Sequence, residues 1–97
     1  MAKQKNIITE FRNYPLRVEF PILLLTGNQW WISDVPSANL HFHNCLEIGL
    51  CHEGEGTLII QKESCHFSAG DITIIARNIP HTTYSAPGTQ SLWTYLF

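Results

Sequence analysis

Four residues of this chain have side chains that commonly bind transition metals, and their spacing suits a shared site. His41, His43 and Glu47 lie within one seven-residue stretch, and His81 follows in a later segment. Three imidazoles and a carboxylate form a mixed nitrogen and oxygen ligand set for a divalent transition metal. The alternative is that the two neighbouring histidines end a strand while Glu47 faces water.

The segment that carries the first three of these side chains is predicted to be one strand over residues 40–52. Alternate side chains of a strand share a face, so His41, His43 and Glu47 would point to one centre. A neighbouring strand would add His81 after a short excursion of the chain. This set leaves one or two coordination positions open and suits Zn, Ni, Fe, Mn or Cu.

The rest of the sequence predicts an all-β domain. Short apolar runs alternate with turn signals, and no segment has the period of an amphipathic helix of ten or more residues. Many short strands with regular turns indicate an antiparallel sandwich or barrel. Residues 1–16 are predicted to be a tail or irregular lead-in, and residues 17–97 a single domain. The predicted strands span residues 17–26, 40–52, 56–61, 64–67, 71–75, 81–85 and 91–97.

The other face of the segment 40–52 is too apolar for a surface in water. It carries Phe42, Asn44, Leu46, Ile48 and Leu50. We therefore expect this strand to be buried on both faces. Either a partner or residues 17–32 of the same chain would cover it.

Charge and composition exclude some classes of function. Residues 18–97 contain seven acidic and two basic residues, a net charge of −5, and four of the six basic residues lie in the first 17. This domain therefore lacks the basic patch that a nucleic-acid surface needs. The sequence has neither a long apolar run nor a basic-then-apolar leader, which predicts a cytoplasmic protein outside the membrane.

The cysteines predict reduced thiols. Cys45, Cys51 and Cys65 are odd in number and lack CxxC spacing, so a disulfide framework is not expected. Cys45 would share the face of the candidate ligands. It is interpreted as a small buried hydrophobe, with a sulfur near the metal as the alternative.

Two motifs of this chain resemble those of the cupins, a superfamily of small antiparallel barrels of jelly-roll type. Residues 41–54 satisfy the pattern His-x-His-x3-Glu-x6-Gly without a gap. The second pattern, Gly-x5-Pro-x-Gly-x2-His-x3-Asn, is met at Gly70 and His81. Ala76, Asn78 and Ser85 depart from it, which weakens the turn and its support but leaves the metal ligand in place. Asn78 is a mild departure because asparagine tolerates positive φ.

The wider pattern resembles the amino-terminal sensor domain of AraC-type transcription regulators. The resemblance rests on residues 41–56, 67–75, 79–81 and 93–95. It implies a domain that binds a small effector and forms a homodimer, while paired helix-turn-helix units after the domain contact DNA. This sequence contains no such helices and ends within an apolar strand pattern. We therefore expect a fragment, truncated before the DNA-binding helices.

Aromatic residues are the candidate effector contacts, and the predicted set is Trp30, Tyr84, Trp93 and Tyr95. Adjacent Trp30 and Trp31 would point to opposite faces of a strand, so at most one of them contacts a ligand. Aromatic faces with hydroxyl groups would suit a sugar, which the family resemblance also makes plausible. The alternative for Trp93 and Tyr95 is a place in the core.

Two other functions remain open at this stage. A free-standing metal cupin could be a dioxygenase or an isomerase, with the metal polarising substrate or activating oxygen. The interior offers no evident general acid or base beyond the candidate ligands, so the prediction is a protein that is not an enzyme. A small sugar-binding module without metal would differ because histidine-to-alanine changes would leave its binding intact.

Overall fold

The structure is a computed structural model that describes residues 8–14, 16, 23–25, 30–36 and 39–97. These residues form strands and turns without a helix, which confirms the predicted all-β fold. Among them there is no helix that could cross a membrane. The strands are β1 (Ile8–Arg12), β2 (Leu24–Leu25), β3 (Trp31–Ile32), β4 (Asn39–His43), β5 (Glu47–Glu53), β6 (Glu55–Ile60), β7 (Glu63–Ser68), β8 (Ile72–Ile75), β9 (His81–Ser85) and β10 (Ser91–Leu96).

The strands form two sheets that pack face to face. The first sheet has the order β1-β4-β9-β6-β7, and the second has the order β2-β10-β5-β8 with β3 also paired to β10. Within the described residues the sheets do not pair edge to edge, so the fold is a sandwich and not a closed barrel. Buried apolar side chains fill the space between the sheets: Cys51, Leu58, Phe67, Ile75 and Trp93.

The strand predictions after residue 53 are confirmed to within one residue at each end. Alternating apolar residues between clear turn signals allow this accuracy, because each turn is local. Gln61 and Asn78 adopt positive φ angles of 55° and 64°. The prediction that Asn78 takes the place of a glycine in a left-handed turn is therefore confirmed.

The prediction of one strand over residues 40–52 is wrong. The chain leaves β4 after His43, bends at Asn44 and Cys45, and enters β5 in the opposite sheet at Glu47. Hydrogen bonds from distant residues hold this corner. The Tyr14 N–H donates to the Asn44 side-chain oxygen at 2.8 Å, and the Asn44 side-chain amide donates to the Tyr14 carbonyl at 3.1 Å.

The amino-terminal part also differs from expectation. Residues 8–12, within the predicted irregular lead-in, form β1, which pairs with β4 in parallel. Of the strand predicted over 17–26, residues 24–25 form β2, while 17–22 and 26 lie outside the described residues. The parallel pairing brings Arg12 beside His43 in register, and so places this segment next to the candidate ligands.

The outer face of the second sheet, which we expected a partner or residues 17–32 to cover, is partly exposed in the described chain. Leu50 is 36% exposed, and its neighbours on β8, Ile72 and Ile74, are 65% and 66% exposed. Of the segment 17–32, which was the expected cover from this chain, residues 17–22 and 26–29 lie outside the described residues. Apolar surface of this kind is typical of an interaction face.

A buried chain of hydroxyl groups links the two sheets behind the candidate site. The Ser85 hydroxyl on β9 donates to the Ile32 carbonyl at 2.7 Å and lies 2.7 Å from the Ser91 hydroxyl on β10. The Trp93 indole N–H donates to Ser91 at 2.9 Å. Ser85, one of the departures from the cupin motif, is therefore fully buried and hydrogen-bonded to both Ile32 and Ser91.

Gly49 of β5 provides the space in which the aromatic residues of β10 pack. A Cβ atom at this position would lie 2.6 Å from the Thr73 hydroxyl oxygen, 3.0 Å from the Trp93 ring and 3.1 Å from the Tyr95 ring. These contacts come from both neighbouring strands. A larger residue at position 49 would therefore displace side chains of the core and of the candidate site.

We expect Gly49→Ala to lower the free energy of unfolding by about 1–3 kcal/mol, the usual cost of overpacking a core. Urea denaturation measures this change. In a Thr73→Ala background the loss should be smaller, because the nearest clashing atom is absent. A Gly49→Ala protein within about 0.5 kcal/mol of the original chain would contradict this packing.

Candidate metal centre and ligand cavity

The four candidate ligands come together although they belong to both sheets. His41 and His43 lie on β4 and His81 on β9 of the first sheet, while Glu47 begins β5 of the second. His41 and His81 are directly paired in register, with ring centroids 4.3 Å apart. The ring of His43 lies 5.0 Å from each of the other two rings. The predicted cluster is therefore present, with its carboxylate supplied across the sandwich.

Glu47 is the buried charge of this cluster. Its Oε1 lies 3.1 Å from His43 Nε2 and 3.3 Å from His81 Nε2, and the residue is 4% exposed. Burial alone would raise the pKa of Glu47, but the contacts with His43 and His81 outweigh it and lower the pKa to about 2. The carboxylate is therefore ionised at neutral pH.

The two ring nitrogens of His81 have different partners. Its Nδ1 lies 2.8 Å from the carbonyl oxygen of Ile79, which can only accept a hydrogen bond, so Nδ1 carries the proton. In a neutral ring, the lone pair of Nε2 would then face the Glu47 carboxylate oxygen. Two acceptors repel at such a distance unless a second ring proton or a metal ion lies between them. The same Nδ1 contact is the usual orienting bond of a metal-bound histidine.

His43 has unused ligand capacity. The residue is 3% exposed, and neither ring nitrogen has a hydrogen-bond partner among the described residues. Nε2 lies 3.1 Å from the Glu47 carboxylate, but the geometry falls short of a good hydrogen bond. Leaving a buried polar atom unsatisfied costs about 1–3 kcal/mol. A metal ion would occupy this nitrogen and remove the penalty.

His41 is suited to remain a neutral ligand. Burial, together with the neighbouring His81, Arg12 and His43, lowers the pKa of His41 to about 3, although the Glu47 carboxylate acts in the opposite direction. Metal binding requires the neutral imidazole. Because its pKa is this low, His41 is already neutral at neutral pH and has no proton to lose.

The donor set fits a single divalent metal ion. One ligand atom from each of the four residues lies within 4.8 Å of the others. Ligands on opposite sides of one ion are roughly 4.2 Å apart, because each metal–nitrogen bond is about 2.1 Å long. The cluster therefore needs only a small contraction to close around an ion. Cys45 is buried but does not belong to it, in agreement with its interpretation as a small hydrophobe.

A cavity of about 110 Å³ opens beside the cluster. Of the predicted effector contacts, Trp30 and Tyr95 line it. Trp93 does not, because it packs against Phe67 in the core with ring centroids 4.8 Å apart. Tyr84 lies three residues after His81 on β9, so their side chains point to opposite faces of the sheet. Tyr84 therefore faces away from the cluster. The lining side chains are Arg12, Tyr14, Leu25, Trp30, Ile32, His41, His43, Glu47, His81, Thr83, Tyr95 and Phe97.

Several lining residues were missed by the sequence analysis. Thr83 could have been found, because it shares the face of His81 on β9. Its side chain bonds to the Tyr95 hydroxyl, and burial raises the pKa of Tyr95 above its ordinary value. Arg12 and Tyr14 gave no periodic signal, and they reach the cavity through the long-range pairing of β1 with β4.

The ends of the described chain meet at this cavity. Tyr14 and Phe97 have ring centroids 4.4 Å apart, and each ring also contacts His43, at 4.9 Å and 5.1 Å. Reciprocal backbone hydrogen bonds between Leu23 and Phe97 hold this wall in place. Any ligand in the cavity therefore contacts side chains from both ends of the described chain.

The fold and the site define a small all-β domain with a buried metal-type cluster at the mouth of its cavity. Residues 32–96 match the family model for the AraC-like ligand binding domain, so the chain belongs to this family. This match confirms the resemblance seen in the sequence.

A cupin-2 domain containing protein from Shewanella frigidimarina NCIMB 400 has a similar solved structure, with a TM-score of 0.49 and 12% identity. The similarity covers 78% of this chain and 65% of that protein, so the chain spans less than two-thirds of the other protein's length. No curated protein matches the chain.

We expect the chain to bind one equivalent of Zn²⁺ or Ni²⁺, and His43→Ala and His81→Ala to weaken this binding severely. Each change removes a direct ligand, so the loss should exceed the roughly 10–100-fold effect typical of an outer-shell change. Competition with a chromogenic chelator measures the affinity.

His52→Ala and His66→Ala are the matched controls and should bind metal normally. Both histidines are exposed, as expected from their spacing, and they contact Thr94 and Glu55 outside the cluster. A chain that binds none of the compatible metals, or equal losses in the control variants, would contradict the metal centre.

The metal-free protein should lose stability as the pH falls from about 6.5 towards 2. The pKa of His41 is about 3 in the folded protein against 6.5 ordinarily, and that of Glu47 is about 2 against 4.5. At a pH between the folded-state pKa and the ordinary pKa of each group, the unfolded chain binds more protons than the folded protein. Acid therefore favours unfolding. His41→Gln should flatten the part of this loss between pH 6.5 and 4.5.

Urea midpoints measured across this range in the presence of a chelator provide the comparison. The exposed His52→Gln protein serves as the control and should keep the original slope. If His41→Gln also kept it, the buried neutral state of His41 would be wrong.

Proposed function

We propose that this chain is the effector-sensing domain of an AraC-type DNA-binding transcription regulator. The observation that carries the proposal is the cavity within a domain of this family, bordered by the buried cluster of His41, His43, Glu47 and His81. A small effector would enter the cavity and contact the cluster, Trp30 and Tyr95. A divalent metal, when bound, would act as a Lewis acid towards an oxygen of that effector.

The position of Phe97 supports a sensing role. Its ring forms part of the cavity wall and packs against Tyr14, which lies near the other end of the described chain. An effector that prefers one arrangement of these rings would shift the population of that arrangement, by no more than its differential affinity. A DNA-binding unit attached after Phe97 would receive this change directly.

The remaining features of the regulator are part of the same proposal. DNA contact would be made through a carboxy-terminal part outside this sequence, because residues 18–97 carry a net charge of −5. The regulator would act in the cytoplasm as a homodimer, as the family resemblance implies. Residues 17–97, together with β1, would form its sensor domain.

A metal-dependent cupin enzyme, a dioxygenase or an isomerase, is the second candidate. It is favoured by the ligand set, which leaves coordination positions open for a substrate. The described lining offers little for proton transfer, since its histidines and its carboxylate are the candidate ligands themselves and burial raises the pKa of Tyr95. Sensing without catalysis is therefore the better-supported function.

The proposal is tested first by the reading frame beyond Phe97. We expect it to continue for about 150–200 residues with two helix-turn-helix patterns and a basic balance. A stop codon within about 20 residues would contradict the regulator and favour the enzyme, since no DNA-binding unit of two helices could follow.

The encoded full-length protein then provides the functional measurement. Its binding to the DNA upstream of its own gene should change on addition of an effector, as measured by fluorescence anisotropy. His81→Ala should reduce this response, whereas His66→Ala should retain it. DNA binding that never responds in the original protein, over a panel of small acids and sugars, would contradict the sensing role.

A further inference from the structure

We propose that two copies of this chain associate through strand β8, antiparallel and edge to edge, so that their second sheets join into one continuous sheet. This inference names the interface of the homodimer and rests on the proposed function for the homodimer alone. Four features of β8 support it: outward-pointing backbone groups, exposed isoleucines, the lack of any device that protects the edge, and opposite charges at the two ends of the strand.

The backbone of β8 is hydrogen-bonded on one side and open on the other. β8 ends the second sheet, with β5 as its neighbour. At the start of this pairing, the Cys51 N–H donates to the Asp71 carbonyl at 3.0 Å. Bonded and non-bonded pairs alternate along an antiparallel ladder, so the N–H and C=O groups of Ile72 and Ile74 point away from β5. Each copy therefore presents two donors and two acceptors along this edge.

The side chains of β8 add an apolar contact to these backbone groups. Ile72 and Ile74 are 65% and 66% exposed, and Leu50 on β5 extends the apolar surface away from the edge. When Thr73 of each copy lies on the twofold axis, Ile72 of one copy is opposite Ile74 of the other, twice by symmetry. All the outward backbone groups of these isoleucines then pair. The side chains, which face water in the single chain, pack across the joint.

The other sheet edges of the described chain carry features that oppose such pairing. Edge strands avoid association when they are short or contain charged residues. β1 contains Glu10 and Arg12, β7 begins with Glu63, and β2 has only two described residues. β8, in contrast, consists of four residues without a charge or a proline, and its pairing with β5 contains no bulge. It is therefore the edge best suited to receive another strand.

The charges beside β8 select a second copy as the partner. Exposed Asp71 precedes the strand and exposed Arg77 follows it, and Arg77 has no ion pair among the described residues. Antiparallel pairing about Thr73 places Asp71 of one copy opposite Ile75 of the other, two residues from Arg77. A long side chain reaches such a diagonal neighbour. The dimer thus gains two Asp71–Arg77 pairs, although residues 18–97 of each copy carry a net charge of −5. A parallel pairing in register would bring like charges together.

Sedimentation of the chain over a concentration series measures the association. We expect a dimer at about 100 µM, where interfaces of the small, transient class are populated. Ile72→Lys places an ammonium group against Ile74 of the second copy and should weaken the dimer by about tenfold or more. Leu24→Lys is the matched control and should keep the dimer, because Leu24 is 56% exposed on β2, at the opposite edge of the same sheet. Thermal unfolding confirms that both variants are folded before they are compared.

Two charge reversals test the orientation of the paired strands. Arg77→Glu and Asp71→Lys each turn two attractive pairs into repulsive ones, and each should weaken its own homodimer about tenfold. An equal mixture of the two folded variants should restore the dimer. In the mixed dimer Asp71 of one chain meets Arg77 of the other, and the two substituted positions carry opposite charges. A mixture that associates as weakly as either variant alone would overturn the antiparallel pairing.

Amide hydrogen exchange, followed by NMR, distinguishes edge pairing from packing between two sheet faces. The amides of Ile72 and Ile74 should become protected as the dimer forms, whereas that of Thr73, which is paired with Gly49 of β5, should be protected at every concentration. A dimer in which Ile72 and Ile74 stay unprotected would overturn the β8 interface.

The remaining contrary results separate this inference from the proposed function. A chain that stays monomeric over the whole series would overturn the β8 interface, as would equal losses in Ile72→Lys and Leu24→Lys. A full-length homodimer that Ile72→Lys leaves intact would also overturn it, while the regulator proposal stands. If β8 pairs as expected but DNA binding by the full-length protein never responds to an effector, the interface stands and the proposed sensing function fails.

Discussion

The buried Glu47 carboxylate is the constraint on which this site depends. An ionised carboxylate inside a protein is very costly unless charge and hydrogen bonds compensate it. Here His43 and His81 come from the opposite sheet to meet it, so the electrostatics of the cluster also hold the two sheets together. Removing Glu47 would leave three clustered imidazoles, two of them buried, without their negative partner. Removing a histidine would leave a buried charge with less compensation.

The chemistry of the cluster could be predicted from the sequence, but its route through the fold could not. Residue type alone selected His41, His43, Glu47 and His81, and the structure brings these four together. The apolar alternation of residues 40–52 is interrupted at Asn44 and resumes after it, and a single polar residue does not predict a change of sheet. The signal for the corner lies in hydrogen bonds from Tyr14, thirty residues away. Patterns of local period cannot contain such information.

The same distinction explains the mixed outcome for the aromatic residues. Trp30 lines the cavity and Trp93 lies in the core, although both are tryptophans in apolar surroundings. Their places depend on which strand pairs with β10 and in which register. Thr83, in contrast, follows from simple alternation with His81. Predictions along one strand were therefore more dependable than predictions that needed the pairing of distant strands.

The wide separation of the lining residues also affects how the protein reaches its native state. The cavity is built from Arg12 through Phe97, and the parallel pairing of β1 with β4 and the pairing of β5 with β10 join distant segments. Folds dominated by such non-local pairings form slowly, on the millisecond to second scale. The β6–β7 hairpin can form early from local contacts, but it contributes nothing to the cavity lining. The cavity is thus complete only when the slowest contacts close, and a newly made chain lacks it until its folding is finished.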